Sequence, residues 1–594
     1  MDIIVSKMNP LSNLNNKQLE AVTHKEGPLL IAAGAGSGKT KTLTNRIIHL
    51  IESGIKPENI LAITFTNKAA NEMKKRIGEI ENLFVGTFHS FGAKILRQEH
   101  KYFQRTGNFT IFDEDDSMFL LKQAIKNLNF SKDKYNPIII KHQISKIKSE
   151  LLETDKNTAN GAIFEEYELM LRKNNAFDFD DLIEKPVQLF SSEKDILKKY
   201  QNKYRHILVD EYQDINTAQY HLVILLAQEH RNLSVVGDDA QSIYAFRGAD
   251  FRNFLNFEKH WPNAKVILLE ENYRSTPNIL KAANEIIKNN KLQKQKNLWT
   301  KNPQGDAIKL FAAEDEEAEA DWITEQIINL SKKEMTLKQT AILYRTNAQS
   351  RAIEQSLIFK RIPYQIFGGI RFYERKEIKD IMAGLRFANN PQDSVSAERL
   401  MKNFSKAKSS DLIENLPRLS KELTTIELLN YIINNTDYLE YLENNFKNYQ
   451  ERIENVKELI SFASNFTKEK GLSEFLERVS LTQGHDNAKN QDGVNLMTVH
   501  LSKGLEFDAV FIAGCSEGVL PHHRSYNTNE ELEEERRLMY VAVTRAAKKL
   551  FLSFSNIPSR FLYEISPELI QYEAPQQNKK YLPDEDEMYI EYAP

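Results

Sequence analysis

The sequence of 594 residues is short of three things: cysteine, long apolar runs and an excess of either charge. The single cysteine, Cys515, excludes an internal disulfide and is typical of a reducing compartment, so we expect a cytoplasmic protein. The lack of long apolar runs predicts no membrane span, and the first residues lack the apolar core of a secretory signal. A formal net charge of −4 neither indicates nor excludes a nucleic-acid partner, because a basic groove can coexist with acidic outer faces.

A glycine-rich segment near the N-terminus carries the clearest functional pattern. It follows the apolar run 29–32, which predicts a short buried strand, and precedes 42–51, where apolar residues recur at helical spacing. Glycines let backbone N–H groups converge on phosphate oxygens, and the following helix adds its positive dipole end. This order predicts nucleoside triphosphate binding, with Lys39 on the terminal phosphates and the Thr40 hydroxyl on Mg²⁺. The loop comprises Ala33, which replaces the pattern's first glycine, then Gly34, Ala35, Gly36, Ser37, Gly38, Lys39 and Thr40.

Acidic and amide side chains follow two further predicted strands. The apolar run 207–209 ends at Asp210 and Glu211, a pair of carboxylates that is a weak signal alone and a strong one after a phosphate-binding loop. We expect Asp210 to hold Mg²⁺ and Glu211 to orient and deprotonate the attacking water. Gln241, after the predicted strand 233–236, is expected to contact both the γ-phosphate and that water.

Aromatic, hydroxyl and cationic side chains also follow several of the predicted strands. Hydroxyls can bind phosphates while flat rings stack on bases, so this mixture suits a single-stranded nucleic acid. Each strand end alone would be an ordinary turn, but together they predict a strand-binding surface. The candidate contacts are Thr64, Phe65, Thr66, Phe88, His89, Tyr244, Phe246 and Arg247.

Residues 92–203 lack the strand–loop–helix rhythm and are rich in lysine and helix-forming residues, which predicts a helical insertion. The lysines of 141–148 are interpreted as a solvated helical face. The acidic cluster at 178–181 suits the start of a helix, whose dipole favours acidic residues in its first turn, better than it suits a metal site.

The chain resembles the UvrD/Rep/PcrA helicases of superfamily 1, because a series of segments follows that family's motif order from Leu14 to Ala547. The resemblance implies an α/β fold of two RecA-like P-loop motor domains, each with a helix-rich inserted subdomain. Besides the phosphate-binding loop and the Gln18 segment, the matching segments are 64–70, 210–214, 237–244, 272–275, 341–347, 494–507 and 535–546.

The resemblance assigns further residues by matching position. It implies that Gln18 recognises adenine, that Tyr273 stacks on it and that Glu506 contacts the ribose. Arg274 and Arg545 match the family's arginine fingers, which stabilise charge in the transition state. By the same matching, His500 is a single-strand contact.

The chain departs from the family pattern at several positions. Phe246 stands where tryptophan is usual, so we expect stacking with less area, and Lys41 stands where arginine is commoner. The second insertion is short for the family. The segment 403–409 lacks the glycines of a turn that touches duplex DNA, and this predicts weakened duplex contact.

A chain of this length is expected to contain several domains. We predict a first motor domain, 1–91 and 204–272, interrupted by the insertion 92–203. A second motor domain, 273–376 and 491–565, is interrupted by the insertion 377–490. The acidic residues 566–594 are predicted to form a mobile tail.

The resemblance implies an ATP-dependent 3′→5′ DNA helicase that uses Mg²⁺ and binds single-stranded and 3′-tailed duplex DNA, with an accessory repair or replication protein as a further partner. Two alternatives stay open: a translocase that displaces proteins and unwinds poorly without a partner, and a scaffold that binds nucleotide or DNA without hydrolysis. The complete catalytic set disfavours the scaffold: Lys39, Asp210, Glu211, Gln241, Arg274 and Arg545.

Overall fold

The computed structural model describes residues 11–131, 134–332, 335–367, 372–463, 471–472, 475–476 and 493–574. The chain forms two compact units. Of the described residues, unit 1 contains 11–274 and 287–302, and unit 2 contains 275–286 and 303–574. Within these ranges no helix combines the length and the apolar character that crossing a bilayer requires.

Short apolar runs form the strands of unit 1. They are β1 (Leu29–Ala33), β2 (Ile60–Thr64), β3 (Phe84–Thr87), β4 (Thr110–Ile111), β5 (Ala176–Phe177), β6 (His206–Val209), β7 (Leu233–Gly237) and β8 (Lys265–Leu269). Strands β4 and β5 pair with each other, and the other six form one parallel sheet in the order β3-β2-β6-β7-β1-β8. Every residue of β1, β2, β6 and β7 is buried, as in a parallel sheet with helices on both faces.

Alternate residues of these strands enter two different cores. Leu30 and Leu61 pack into one apolar cluster, whereas Leu29 and Ile60 pack into another. This period of two is what a strand buried on both faces produces. The helices of unit 1 are α1 (Asn16–Thr23), α2 (Lys39–Glu52), α3 (Asn67–Ile77), α4 (Phe88–Gln98), α5 (Glu114–Asn127), α6 (Pro137–Glu150), α7 (Ala159–Lys173), α8 (Asp181–Ser192), α9 (Lys194–Lys203), α10 (Thr217–Ala227), α11 (Arg252–Leu255) and α12 (Phe257–His260).

Charged side chains are buried between helices α6, α7 and α8. The Lys148 side chain is 0% exposed, and its Nζ forms ion pairs of 2.6 Å with Glu168, 2.8 Å with Asp181 and 3.0 Å with Asp178. Lys141 lies 3.4 Å from the same oxygen of Asp178. The interpretation of these lysines as a solvated face is therefore wrong for Lys141 and Lys148, because buried carboxylates require a buried counter-charge.

The acidic turn before α8 begins this helix as predicted. The backbone N–H of Asp178 donates to Asp181 Oδ2 at 3.0 Å, and that of Asp181 donates to Asp178 Oδ1 at 2.9 Å. These reciprocal bonds close the turn, while Lys148 neutralises the same carboxylates. The carboxylates thus fix both the local turn and its packing on α6.

Unit 2 contains a second parallel sheet. Its strands are β9 (Ile308–Ala313), β10 (Thr340–Tyr344), β11 (Tyr364–Ile366), β12 (Val494–Thr498), β13 (Phe507–Ile512), β14 (Ala546–Ser555) and β15 (Ile570–Glu573), in the order β11-β12-β10-β13-β14-β9-β15. Strand β15 pairs with β9 from Ile570 to Glu573, so the sheet extends beyond residue 565, where the predicted motor domain ends. The predicted tail is corrected accordingly at 570–573, and its residues 575–594 lie outside the described part of the chain.

The helices of unit 2 surround this sheet and build the second insertion. They are α13 (Pro277–Ile287), α14 (Glu316–Ser331), α15 (Ser350–Phe359), α16 (Lys376–Asn389), α17 (Ser394–Asn403), α18 (Lys406–Glu422), α19 (Thr425–Asn435), α20 (Tyr438–Asn445), α21 (Tyr449–Ala463), α22 (Val499–Ser502) and α23 (Asn529–Val543). Helices α16–α21 share one apolar core. The described part of the predicted insertion 377–490 is helical; of 464–490, all but 471–472 and 475–476 lie outside the described residues.

Candidate nucleotide-binding and nucleic-acid sites

The glycine-rich loop connects β1 to α2 at the carboxyl edge of the unit 1 sheet. Gly36 and Gly38 have φ angles of 66° and 84°, which favour glycine. Lys39 is the first residue of α2, so the unpaired N–H groups of a helix N-terminus follow the loop directly. The predicted strand, loop and helix are confirmed.

Three hydrogen bonds hold this loop in place. The Ser37 hydroxyl donates to the carbonyl of Gly34 at 2.8 Å, and the Asn272 amide donates to that of Ala35 at 2.7 Å. The backbone N–H of Tyr273 donates to the carbonyl of Gly36 at 3.0 Å. The segment after β8 therefore fixes the conformation of the phosphate-binding loop.

Lys39 and Asp210 are the charged residues predicted to bind the terminal phosphates and Mg²⁺. The Nζ atom of Lys39 is buried and has no hydrogen-bond partner among the described residues. Asp210 is 2% exposed; burial and the adjacent Glu211 raise its pKa to about 7, although Lys39 acts in the opposite direction. An unpartnered buried ammonium and a carboxyl displaced toward neutrality are both stabilised when a phosphate and a cation are added. The two residues therefore fit a magnesium nucleotide.

Glu211 follows Asp210 in a left-handed backbone conformation with φ of 53°, a strained geometry that is common at functional sites. Its carboxylate accepts a 2.7 Å hydrogen bond from the Gln213 amide, which also donates to Asp214 at 2.9 Å. The side-chain oxygen Oε1 of Gln213 accepts from the backbone N–H of Asp238 at 2.9 Å. Gln213, which the sequence did not single out, thus links the expected base to the end of β7.

Gln241 lies in a short 3₁₀ turn after β7 and is 3% exposed. Its side-chain amide donates to Asp238 Oδ2 at 2.7 Å. Asp238 is itself fully buried, so the orientation of Gln241 depends on this carboxylate.

Gln18 and Tyr273, which are predicted to bind adenine, each form a hydrogen bond with Asn15. The Gln18 amide donates to the carbonyl of Ser37 at 2.9 Å and its oxygen accepts from the backbone N–H of Asn15 at 3.1 Å. Tyr273 is 51% exposed, and its hydroxyl contacts Asn15 at 2.8 Å and Glu271 at 3.0 Å. The Tyr273 ring is therefore held rigidly at the surface, whereas adenine recognition by the buried Gln18 stays a prediction.

Lys41 and Thr40 are two further residues of unit 1 that are predicted to bind the nucleotide. Lys41 Nζ donates to the carbonyl of Asn13 at 2.7 Å, so its ammonium secures the segment before α1. Thr40 is the second residue of α2, next to Lys39.

Aromatic rings from two loops form a platform on unit 1. Phe65 stacks on Tyr244 with ring centroids 5.7 Å apart and an interplanar angle of 11°, and Tyr244 meets Phe246 edge-on at 6.0 Å. The Arg247 guanidinium lies 5.5 Å from both of the latter rings. Phe246 is 63% exposed, so one ring face remains available to a base. The sequence predicted these residues but not their mutual stacking.

A second ring pair in unit 1 is formed by the half-buried His89 of α4 and the exposed Phe179 of the first insertion. His89 stacks on Phe179 at 3.9 Å, and Phe179 is 56% exposed. Burial lowers the pKa of His89 to about 4, so the imidazole is neutral at physiological pH. Phe179 was not predicted as a contact, because its position between aspartates indicated a helix start.

Two predicted strand contacts, Phe88 and Thr64, are buried in the structure. Phe88 is 1% exposed and packs within the apolar core, because it is the first residue of α4 and faces the sheet. Thr64 is 0% exposed at the end of β2, and its hydroxyl has no hydrogen-bond partner among the described residues, so its contact with a strand stays a prediction. Thr66, in contrast, is exposed and caps α3 by accepting from the backbone N–H of Ala69.

The remaining predicted residues lie at the end of unit 1 and in unit 2. Arg274 is half-buried, and its backbone N–H donates to Asn272 at 2.8 Å. The Arg545 guanidinium donates to the carbonyls of Val541 and Leu505, each at 3.0 Å. His500 is half-buried in α22, and Glu506 is exposed just before β13.

Two family profiles match nearly the whole chain. The UvrD/REP helicase N-terminal domain matches residues 14–262, and the UvrD-like helicase C-terminal domain matches 267–451 and 439–557. The chain belongs to the UvrD/Rep helicase family. This UvrD-family membership, with a parallel sheet in each unit, confirms the predicted class of two RecA-like motor domains.

Curated relatives of this UvrD-family chain align with most of its length and with most of their own. The ATP-dependent DNA helicase PcrA of Leuconostoc citreum is 41% identical over 94% of this chain and 86% of its own length. The protein of the same name from Bacillus subtilis is 41% identical over 94% of this chain and 87% of its own. That of Staphylococcus epidermidis is 39% identical, with coverages of 97% and 89%.

Proposed function

We propose that this UvrD-family chain is a cytoplasmic, ATP-dependent DNA helicase that moves 3′→5′ on single-stranded DNA and unwinds duplex DNA. The observation that carries the proposal is the buried, unpartnered ammonium of Lys39 next to the phosphate-binding loop. The name of these relatives, ATP-dependent DNA helicase, supports the choice of nucleotide and substrate.

Unit 1 supplies the groups for nucleotide binding and hydrolysis. Lys39 would bind the terminal phosphates, while Thr40 and Asp210 would hold Mg²⁺, which takes few protein ligands besides phosphate oxygens and water. The metal ion would supply charge neutralisation for phosphoryl transfer. Glu211, oriented by Gln213, would take the proton of the attacking water.

Further residues are assigned by their positions in the family motifs. We assign transition-state stabilisation to Arg274 and Arg545, γ-phosphate sensing to Gln241, adenine and ribose contacts to Gln18, Tyr273 and Glu506, and strand contact in unit 2 to His500. The rings of Phe65, Tyr244, Phe246, His89 and Phe179, of which Phe246 and Phe179 are exposed, would stack on successive bases, with Arg247 and Thr66 on the backbone.

The first test is the Lys39→Ala variant. We expect it to lose single-strand-stimulated ATP hydrolysis while single-strand binding persists, because the variant removes only the phosphate contact. Lys17→Ala, whose side chain is 62% exposed and pairs with Glu20, is the matched control and should retain full turnover. Full turnover by Lys39→Ala would refute the assignment.

The second test separates unwinding from movement alone. Strand displacement is measured on 3′-tailed, 5′-tailed and blunt duplexes, with ATP hydrolysis recorded alongside. Displacement of the 3′-tailed duplex alone would support the proposed polarity. Displacement of the 5′-tailed duplex alone would refute that polarity, and no ATP hydrolysis on any substrate would support the scaffold.

A translocase that displaces proteins is the second candidate function. One observation favours it: the segment that would contact duplex DNA is the end of α17 and the start of α18, where Ser405 precedes a regular helix without glycine. A helix start with side chains gives a duplex backbone less room than a glycine turn. Rapid clearance of a protein block from single strands, with poor strand displacement, would select this candidate.

A further inference from the structure

Residues 287–302, here called the return segment, belong to unit 1 although α13 before them belongs mainly to unit 2. The segment pairs with the chain after β8: the backbone N–H of Trp299 donates to Glu270 at 3.1 Å, and that of Asn272 donates to Trp299 at 2.7 Å. Leu298 packs on the phosphate-binding loop so closely that a Cβ on Gly34 would lie 2.1 Å from its Cδ2. The return segment is thus a fixed neighbour of the nucleotide site.

Lys296 is the buried cation of this segment. Its side chain is 6% exposed, and its Nζ lies 3.1 Å from Asp238 Oδ1 and also bonds Asp239. Both carboxylates are buried, with Asp238 fully so. Burial works to lower the pKa of Lys296, but the two carboxylates outweigh it and leave the pKa raised. The ammonium therefore stays charged.

The oxygen atoms of Asp238 have separate partners. Oδ1 receives Lys296 and the backbone N–H of Ala240, the latter at 3.2 Å. Oδ2 accepts the 2.7 Å hydrogen bond from Gln241. Because Lys296 fixes one end of the carboxylate, the other end has a defined position from which it orients the Gln241 amide.

We infer that Lys296 is a positioning residue for hydrolysis: through Asp238 it holds Gln241 in the orientation that the nucleotide requires. The inference rests on the proposed function, because Gln241 is assigned there to the γ-phosphate. Gln241, the proposed γ-phosphate sensor, thus depends on Lys296 of the return segment, which belongs to unit 1 although residues 275–286 before it belong to unit 2.

The test compares steady-state ATP hydrolysis, with saturating single-stranded DNA, in Lys296→Met and Gln241→Ala separately and together. We expect Lys296→Met to lower kcat at least tenfold while KM for ATP and Kd for single-stranded DNA change less than threefold. In the Gln241→Ala background, Lys296→Met should change kcat less than twofold, because its effect passes through Gln241. An undiminished further loss in that background would overturn the inference.

Two matched variants separate positioning from simple anchoring. Lys294→Met removes a lysine of the same segment that pairs with Glu258, which is 52% exposed, and should leave kcat within twofold. Asp239→Asn weakens the attachment of the segment through Lys294 and Lys296 but keeps Asp238, so kcat should stay within threefold. An Asp239→Asn loss equal to that of Lys296→Met would refute positioning.

Folding is controlled by thermal unfolding of every variant. If Lys296→Met unfolds early, Lys296→Arg keeps the charge and should retain more than a third of the wild-type kcat; a tenfold loss in a folded Lys296→Arg would count against the inference. Wild-type protein without DNA-stimulated hydrolysis would refute the proposed function itself. Normal wild-type hydrolysis with an unimpaired Lys296→Met would refute only the positioning role.

Discussion

Removing the buried ammonium of Lys148 should open the first insertion locally. In the native protein three carboxylates, those of Glu168, Asp178 and Asp181, share this ammonium at 2.6–3.0 Å. Lys148→Met leaves them facing one another with less compensating charge, and breaking a buried ion pair by removing one partner costs about 3–5 kcal/mol.

The variant can reduce this cost by protonating one of the carboxylates. The free energy of that protonation therefore limits the destabilisation and makes it depend on pH. Burial and the neighbouring acids Asp178 and Glu168 raise the pKa of Asp181 to about 7, so this group takes up a proton readily at neutral pH. Asp178, in contrast, is charged in the native protein. Lys148 and Lys141 lower its pKa by more than burial raises it, so the pKa lies below the usual range. Protonating a carboxyl of ordinary pKa costs about 4 kcal/mol at pH 7 and about 1.5 kcal/mol at pH 5, at roughly 1.4 kcal/mol per unit.

The direction of this pH dependence follows from the proton that the folded variant takes up. Without Lys148, the folded state must bind a proton that the unfolded state releases above its ordinary pKa near 4, so the variant is penalised more as pH rises. The deficit of Lys148→Met relative to wild type should therefore be larger at pH 7 than at pH 5, by up to about 2–3 kcal/mol.

Amide hydrogen exchange of the intact chain measures this, because a chain of several domains has no single unfolding free energy. Protection factors in peptides of 137–192 should fall roughly 10²- to 10⁴-fold at pH 7, at about 1.4 kcal/mol per tenfold change. Lys146→Met on the same helix is the control: its side chain is 57% exposed and pairs with Glu150 at 4.0 Å, so it should change protection less than about fivefold. Equal effects of the two substitutions, or a deficit that grows toward pH 5, would refute the reasoning.

Three further outcomes follow from the sites. Phe246→Ala should weaken single-strand binding about 5- to 150-fold in a fluorescence titration, whereas Phe246→Trp should not; Phe359→Ala, at a ring 80% exposed in unit 2, is the control. Arg545→Ala should lower kcat about 10³-fold with little change in ATP affinity, and equal losses in both would contradict a finger role. Phe88→Ala should destabilise unit 1 by about 3–5 kcal/mol in hydrogen exchange. A Phe88→Ala variant of normal stability that binds DNA weakly would contradict the core assignment.

The conformation of the candidate nucleotide site was predictable because its pattern is local in the chain. The loop from Ala33 to Thr40 carries its own strand, turn and helix signals, and Asp210 and Glu211 end an apolar run. Strands β1, β6 and β7 were predictable for the same reason, because each is a short apolar run, whereas β11 and β15 were not. These strands have three and four residues and mix polar with apolar side chains, so no strand pattern is complete within them.

Burial of charge could not be predicted, because it depends on partners far apart in sequence. Lys148 and Lys146 occupy the same lysine-rich helix, yet one is buried and the other is solvated. Lys296 bonds Asp239 across 57 positions, and nothing in the residues around Lys296 indicates that contact. The burial of Phe88 was missed for a related reason: Phe88 begins α4, and which face of that helix packs on the sheet depends on tertiary structure.

Leu298 lies so close to the phosphate-binding loop that a side chain at position 34 would occupy the same space as the side chain of residue 298. A methyl group on Gly34 would meet Leu298 Cδ2 at 2.1 Å, so alanine at 34 requires a smaller or displaced side chain at 298. Covariation between these positions is therefore an expected property of active variants. A library randomised at both positions and selected for ATP hydrolysis should return pairs in which a larger residue at one accompanies a smaller residue at the other.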